Sequence, residues 1–374
     1  MESTPVVYLL VPLGLSYGRE VMRGVREYTK ANCLWQLAVA EPIAATLRTL
    51  RKEKPDGIIA MLTSAALEKA ARELRVPTVN VSSWCKGVLP RAVPDNEAIG
   101  RMAAEHFVSR GFRNFAFAGM SQLLFSQQRQ QGFVRALREA GWGCHEIPEG
   151  GDARCIRSFP KPLGVFACND VRARQVISGC MKAKACVPED VAVLGVDNDE
   201  TLCELSEVPL SSIDPASRRV GFEAAALLDR LMQGKTLEQK WMIVPPAGLV
   251  VRASSDVLAV SDCEVANAMR YMQAHACDPM RVEDMMGVLR VSRRTLEKRF
   301  RTTFGRTLHD EIRRLQFEKA RQLLCDTDLK IPQVARKCGF RDPKRFTTLF
   351  RQEFGSPPTA FRRDSRGIAL PIIA

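Results

Sequence analysis

The chain has 374 residues, 46% of them hydrophobic and 26% charged, too long for one ordinary domain and rich enough in apolar residues for two or three buried cores, which excludes a disordered or fibrous protein. No apolar run approaches the roughly 18 residues of a membrane span, and Met1-Glu2-Ser3-Thr4-Pro5 lacks the basic start of a signal peptide, so a cytoplasmic location without a membrane partner is expected. The formal charge of +13 is uneven: residues 262–374 hold 23 Lys and Arg against 14 Asp and Glu, a net +9, and the preceding part carries only +4.

From Val6 to about Leu210, apolar strand-like runs alternate with amphipathic helical runs, the pattern of parallel strands wound by crossover helices. Val6 to Val11 predicts the first strand and Arg19 to Lys30 the helix behind it. Further strands are predicted at Trp35 to Ala40, Gly57 to Leu62, Pro77 to Val81, Asn114 to Gly119, Leu163 to Cys168 and Val191 to Val196. These runs are apolar on both faces, as buried parallel strands must be. Leu210 to Asp214 is a segment of the same type, followed by a helix from Arg219 to Met232, and Ile243 to Asp256 reads as a last strand and exit. Val257 to Asp262 then predicts a short linker without the Gly and Ser of a flexible one.

Ligands of doubly wound sheets bind outside the carboxyl ends of the strands, so the polar residues found there are the candidates. They are Tyr17 and Arg19 after the first strand, Asp95 in Pro94-Asp95-Asn96, Asn169 in Asn169-Asp170, and Asp197 in Asp197-Asn198-Asp199. Arg129 joins them and is expected to open a helix. Carboxylates, a carboxamide and a guanidinium in one cleft suit a neutral polyol, whose hydroxyls donate to Asp and accept from Arg or Asn. Taken singly, an Asp or Asn at a strand end is more often a turn residue or helix cap. Trp84 reads as packing beside a strand end.

Beyond the linker, helical periodicity runs to Arg363 and contains two helix-turn-helix patterns. In the first, a supporting helix from Val282 to Leu289 and a turn at Arg290-Val291 lead to Ser292, the N-cap of a helix from Arg293 to Arg301. In the second, Ile331 to Cys338 supports, Gly339 makes the left-handed turn, and Asp342-Pro343 starts the helix Lys344 to Glu353. Burying Leu296 with Phe300, and Phe346 with Phe350, turns Arg293, Arg294, Glu297 and Lys298, and then Lys344, Arg345, Thr347 and Thr348, outward. Such side chains read base edges in the major groove of operator DNA, although one basic helix alone is as well explained by a solvated face. The helix His309 to Leu324 joins the two motifs.

The strand-end pattern resembles the ligand-binding domain of the LacI/GalR regulators: Asp95 five residues before Gly100, Arg129-x-x-Gly132-Phe133, Asn169-Asp170, and Gly195-Val196-Asp197-Asn198. That resemblance implies a periplasmic-binding-protein-like sensor whose Asp95, Arg129, Asn169 and Asp197 contact ligand hydroxyls. Those regulators carry an N-terminal DNA-binding headpiece, whereas this sequence starts at strand one, so DNA binding is expected elsewhere. Ala335-Arg336-Lys337-Cys338-Gly339-Phe340, with Phe346, Phe350-Arg351, Phe354-Gly355, Pro358 and Phe361-Arg362, resembles the AraC/XylS DNA-binding domain. Arg290 and Lys330 depart from that pattern, standing where a turn glycine and a serine-type cap are usual.

In this domain order the chain resembles the XylR-type transcription regulators nearly end to end, although Gly143 to Pro162 is shorter and Ser121 to Gln128 matches loosely. The expected fold class is therefore an α/β two-lobed periplasmic-binding-protein-like sensor domain (1–256), a linker (257–262), an all-α double helix-turn-helix domain (263–366) and a tail (367–374). The resemblance implies an activator controlled by xylose or a related monosaccharide effector, working as a homodimer on double-stranded operator DNA with RNA polymerase as partner. Two alternatives remain at this stage: a sugar-independent regulator whose N-terminal domain only dimerises, and an enzyme-like cysteine domain fused to the DNA reader. Gly143-Cys144-His145 follows a helix end and opens none, unlike a nucleophile elbow. The scattered cysteines have no Cys-x-x-Cys spacing and no nucleotide motif appears, so no metal, cofactor or catalytic residue is expected.

Overall fold

The structure, a computed structural model, describes residues 4–236, 239–260, 262–277, 285–287, 289 and 291–366. It divides into two compact units, Met1–His106 with Arg113–Val257, and Phe107–Phe112 with Leu258–Ala374.

The first unit carries, in chain order, the strands β1 (Val6–Leu10), β2 (Gln36–Ala40), β3 (Gly57–Ala60), β4 (Thr78–Asn80), β5 (Arg91–Pro94), β6 (Asn114–Ala118) and β7 (His145–Ile147). There follow β8 (Leu163–Ala167), β9 (Val191–Val196), β10 (Ser211–Asp214), β11 (Trp241–Val244) and β12 (Gly248–Val250). They form two sheets, one per lobe, in the orders β11-β5-β4-β3-β1-β2 and β12-β10-β9-β8-β6-β7. Every pairing is parallel except β12 on β10. The chain changes lobe after β5, β10 and β11, so three short crossings lie between the sheets.

Burial follows the apolar runs. Val7, Leu9, Ile59 and Val79 pack under Val220 and Leu228 of the Ser217–Met232 helix in the first lobe, and Val165, Val193 and Ile177 form the core of the second. Two glycines decide how the site is built. A Cβ on Gly100 would lie 2.1 Å from the backbone oxygen of Arg129, and one on Gly132 would lie 2.1 Å from that of Glu97. The Asn96–Ser109 and Leu124–Glu139 helices therefore touch backbone to backbone, which only glycine permits.

In the second unit each helix-turn-helix motif has its own core. Met269, Met272, Leu296, Phe300 and Ile312 make the first, and Phe317, Leu324, Val334, Phe346 and Phe350 the second. The helices after Cys263–His275 are Arg293–Phe304, Leu308–Asp326, Ile331–Lys337, Pro343–Phe354 and Pro358–Arg366. Ser292, Thr307 and Asp342 cap three of them with side-chain hydrogen bonds, and Gly339 takes φ +80° at the second turn as expected. Most of the predicted Val282 to Leu289 helix, the turn residue Arg290 and the tail 367–374 lie outside the described residues.

Four expectations need correction. Ile243 to Asp256 is not one strand: Pro245-Pro246 offers no backbone N–H, and the run divides into β11 in one sheet and β12 in the other. Arg129 does not open its helix, which starts at Leu124 because Leu124 to Gln128 contains no breaker, so Arg129 sits in the second turn. The connecting helix extends from His309 to Leu324 out to Leu308–Asp326, begun by a Thr307/Asp310 capping box. The short strands β5 and β7 were not expected; three or four residues carry too little periodicity to be recognised.

Candidate functional site

The polar residues at the strand ends fall into two groups. Asp95 and Asn169 hold helix N-termini, Asp95 Oδ1 accepting from Ala98 N at 2.9 Å and Asn169 Oδ1 from Arg172 N at 2.8 Å. Each thereby uses one polar atom locally. Asp199 caps the Glu200–Glu204 helix in the same way.

The second group centres on Arg129. Arg129, buried, donates from Nε to Asn96 Oδ1 at 3.0 Å and from Nη1 to the Cys168 carbonyl, while its guanidinium lies 5.0 Å from the centre of the Phe125 ring. Its Nη2 stands 4.0 Å from Asp197 Oδ1. That is too far for a hydrogen bond, but one hydroxyl oxygen set beside the line between them reaches both, accepting from Arg129 and donating to Asp197. Asp197 and Asn198 adopt φ +111° and +46°, a strained turn held by Asn198 N donating to Ser212 Oγ at 2.9 Å. Burial pushes the Asp197 carboxyl up to about 6, against the pull of Arg129 and with the help of Asp199 and Asp214.

Beneath this turn Asp170 is almost fully buried. It accepts from Ser212 Oγ at 2.6 Å and Asp199 N at 3.0 Å, and burial raises its pKa, Asp197 adding to the rise. Tyr17 donates its hydroxyl to Val81 O at 2.6 Å, which leaves the phenol oxygen as an acceptor. Its pKa is raised first by burial and then by Asp197, whereas Arg129 lowers it, so these three side chains share one field. Arg19 instead pairs with Asp199 Oδ2 at 3.5 Å and donates to Leu13 O at 2.9 Å. Trp84 packs against the first lobe's core with its ring 6.2 Å from that of Phe125.

The structure thus brings Tyr17, Arg129 and Asp197 together, sets Asp95 and Asn169 next to them as caps, and turns Arg19 to an ion pair. Asn96, Phe125 and Gln128 complete the surroundings, Asn96 Nδ2 donating to Gln128 Oε1 at 3.0 Å. Asn96 stood in the polar strand end Pro94-Asp95-Asn96, and Phe125 had a legible signal as an aromatic residue four before Arg129 on one helix face. Burial holds the Cys144 thiol up at about 12, the opposite of an activated nucleophile.

On the second unit, Arg293, Arg294, Glu297 and Lys298 are exposed on the Arg293–Phe304 helix, with Arg293 Nε donating to Glu297 Oε1 at 2.9 Å. On the Pro343–Phe354 helix Lys344, Arg345 and Thr348 are exposed and Thr347 is half-buried. The hydroxyls of Thr347 and Thr348 donate to their own helix, at Pro343 O and Lys344 O, and so present methyl groups and acceptor oxygens outward. Thr347, Thr348, Arg351, Gln352 and Pro357 border a shallow groove. Lys330 has no capping side chain; the Gln333 side chain accepts from Lys330 N at 2.8 Å and completes that helix start.

Comparison with known proteins matches residues 7–89 to the XylR N-terminal domain, 104–255 to a periplasmic binding protein-like domain and 286–364 to a helix-turn-helix domain. The chain is 30% identical to the xylose operon regulatory protein of Escherichia coli K12, over 95% of this chain and 96% of that one. It is 29% identical to the protein of that name from Haemophilus influenzae, over 95% and 97%. Among solved structures, a xylose-binding transcription activator superposes with a TM-score of 0.62 at 28% identity, covering 98% of this chain and 99% of the other.

Proposed function

Because the chain belongs to the family of the xylose operon regulatory proteins, DNA-binding transcription regulators with a sugar-binding N-terminal domain and not enzymes, we propose that its effector is D-xylose or a closely related pentose, held between the lobes by Arg129 and Asp197. The observation that carries this reading is the 4.0 Å separation of Arg129 Nη2 and Asp197 Oδ1, the span of one shared hydroxyl. Tyr17, Asp95 and Asn169 supply further polar edges around it, and Arg19 acts from its pair with Asp199. A flexible, uncharged ring with several hydroxyls suits a cleft that offers one cation against one carboxylate.

The division into a sensor at 1–256, a linker at 257–262 and a reader at 263–366 belongs to the same proposal. Arg293, Arg294, Glu297 and Lys298 would read one major groove and Lys344, Arg345, Thr347 and Thr348 the next. The connecting helix has 19 residues, about 28 Å long, which with its flanking turns suits one duplex repeat of roughly 34 Å. The regulator works in the cytoplasm as a homodimer and activates by contacting RNA polymerase. The test is a thermal-shift screen of pentoses and hexoses on the full chain. A sugar at 100 times its dissociation constant should stabilise the protein by about 2.7 kcal/mol; a flat response across the panel would leave the dimerisation-only reading standing.

A further inference from the structure

We propose that Arg252 to Ser255, the last segment before the linker, is the output of the sugar cleft: effector held by Arg129 and Asp197 changes how the Asn198 turn and the Asn96–Ser109 helix grip it, and so sets the state of the chain that leads to the DNA reader. This rests on the sugar reading above.

Two physical connections run from the cleft to this segment. The first starts at Asp197, whose neighbour Asn198 accepts from Arg252 Nη2 at 2.9 Å through its side-chain oxygen. Arg252 Nη1 donates to Leu210 O at 2.9 Å, and the Arg252 backbone exchanges two hydrogen bonds of 2.8 Å with Ser211 Oγ. Asn198 N and the buried Asp170 carboxylate meet on Ser212 Oγ, so the floor of the cleft and the grip on Arg252 form one polar network. The positive φ values of Asp197 and Asn198 restrict this turn to few arrangements, so a shift of the Asp197 carboxylate toward a sugar hydroxyl alters where Asn198 presents its oxygen.

The second connection starts at Arg129 Nε, which donates to Asn96 Oδ1 at the head of the Asn96–Ser109 helix. That helix cannot slide freely, because Gly100 and Gly132 lock it to the helix that carries Arg129. Near its other end His106 Nε2 lies 2.9 Å from Ser255 Oγ, both residues buried. Ser254, fully buried, donates to Val193 O at 2.7 Å and accepts from Ser211 N at 2.8 Å. The segment is thus held at Arg252 and Ser255 by groups that lead back to Asp197 and Arg129, and at Ser254 by the strands of the second sheet. Buried, hydrogen-bonded contacts of this kind switch between discrete arrangements because a half-made bond costs more than either made one.

The test uses the full-length protein, D-xylose, and a duplex that the protein itself selects from a random pool. Wild type should change its DNA affinity on saturation with sugar by a factor in the usual range of about 5 to 150. Arg252→Met and Ser255→Ala should bind D-xylose by calorimetry and bind the sugar-free duplex close to wild type, yet the ratio of DNA affinities with and without sugar should collapse toward one. A merely structural role would lower binding or thermal stability and leave that ratio intact. Should Arg252→Met fail to fold, Arg252→Lys keeps the charge but loses the two-armed grip, and an intermediate ratio is expected. Variants that fold and keep the full wild-type ratio overturn the inference. A wild type that binds none of the sugars overturns the effector reading itself, and this inference with it, before any variant is compared.

Discussion

Replacing Arg129 by Met removes a guanidinium that is 5% exposed in its side chain and 4.0 Å from Asp197, while the methionine stem still packs on Phe125. At that distance and an effective dielectric of about 20 the attraction between the two charges is about 4 kcal/mol before desolvation is set against it. A charge-assisted hydrogen bond to a sugar hydroxyl contributes about 1.5–3 kcal/mol net, so D-xylose affinity should fall roughly 10- to 150-fold. A second effect adds to the first. Without Arg129, the half-buried Asp197 carboxyl loses the cation that holds its pKa down and shifts further toward the protonated form, turning an acceptor into a donor. Isothermal calorimetry on wild type, Arg129→Met, Asp197→Asn and the double variant separates these contributions. If one hydroxyl bridges the pair, the double variant should lose less than the sum of the single losses, by about 0.5–3 kcal/mol. Wild-type affinity in Arg129→Met, or losses that add fully, would refute the shared-hydroxyl geometry.

Burial pushes the Asp197 carboxyl up to about 6, so sugar affinity measured by calorimetry should fall as pH drops through that value, and Asp197→Asn should lack the fall. Stability of the sugar-free protein should respond in the opposite sense: a carboxyl with a raised folded-state pKa contributes most when both states are protonated, and loses that contribution as pH rises from about 4 through about 6. In the reader, Lys344→Ala and Arg294→Ala should each cost about 1–3 kcal/mol of operator affinity and relax preference at one or two base positions, measured by footprinting and sequence selection; unchanged preference in Arg294→Ala would reduce the first motif to a support. Phe350→Ala empties a site ringed by Phe317, Phe346, Phe354 and Phe361, with ring centres 4.4–5.9 Å away. It should destabilise the second motif by about 3–5 kcal/mol in thermal unfolding, and a loss under about 1 kcal/mol would mean that this core is not what holds the motif.

What the amino-acid sequence by itself determined about this protein is what neighbours along the chain decide. Strands apolar on both faces, the caps Ser292 and Asp342, the left-handed turn at Gly339 and the outward cations of the two recognition helices depend on residues a few positions apart, where sterics and period suffice. The polar strand ends marked the cleft for the same reason, since side chains just past a parallel strand cannot join its buried faces. The helix caps of Asp95 and Asn169 are local as well, each reaching only three residues ahead. The long-range pairings were not legible there: Arg19 turns to Asp199 across 180 positions of sequence, and Arg129 stands opposite Asp197 on a helix that Gly100 and Gly132 let touch its neighbour backbone to backbone. The division of Ile243 to Asp256 between two sheets likewise depends on which strand edge each half meets. Only the tertiary structure decided these pairings, because a charge or carboxamide takes whichever partner the packing of distant elements brings within about 3–4 Å, and local pattern holds no record of that distance.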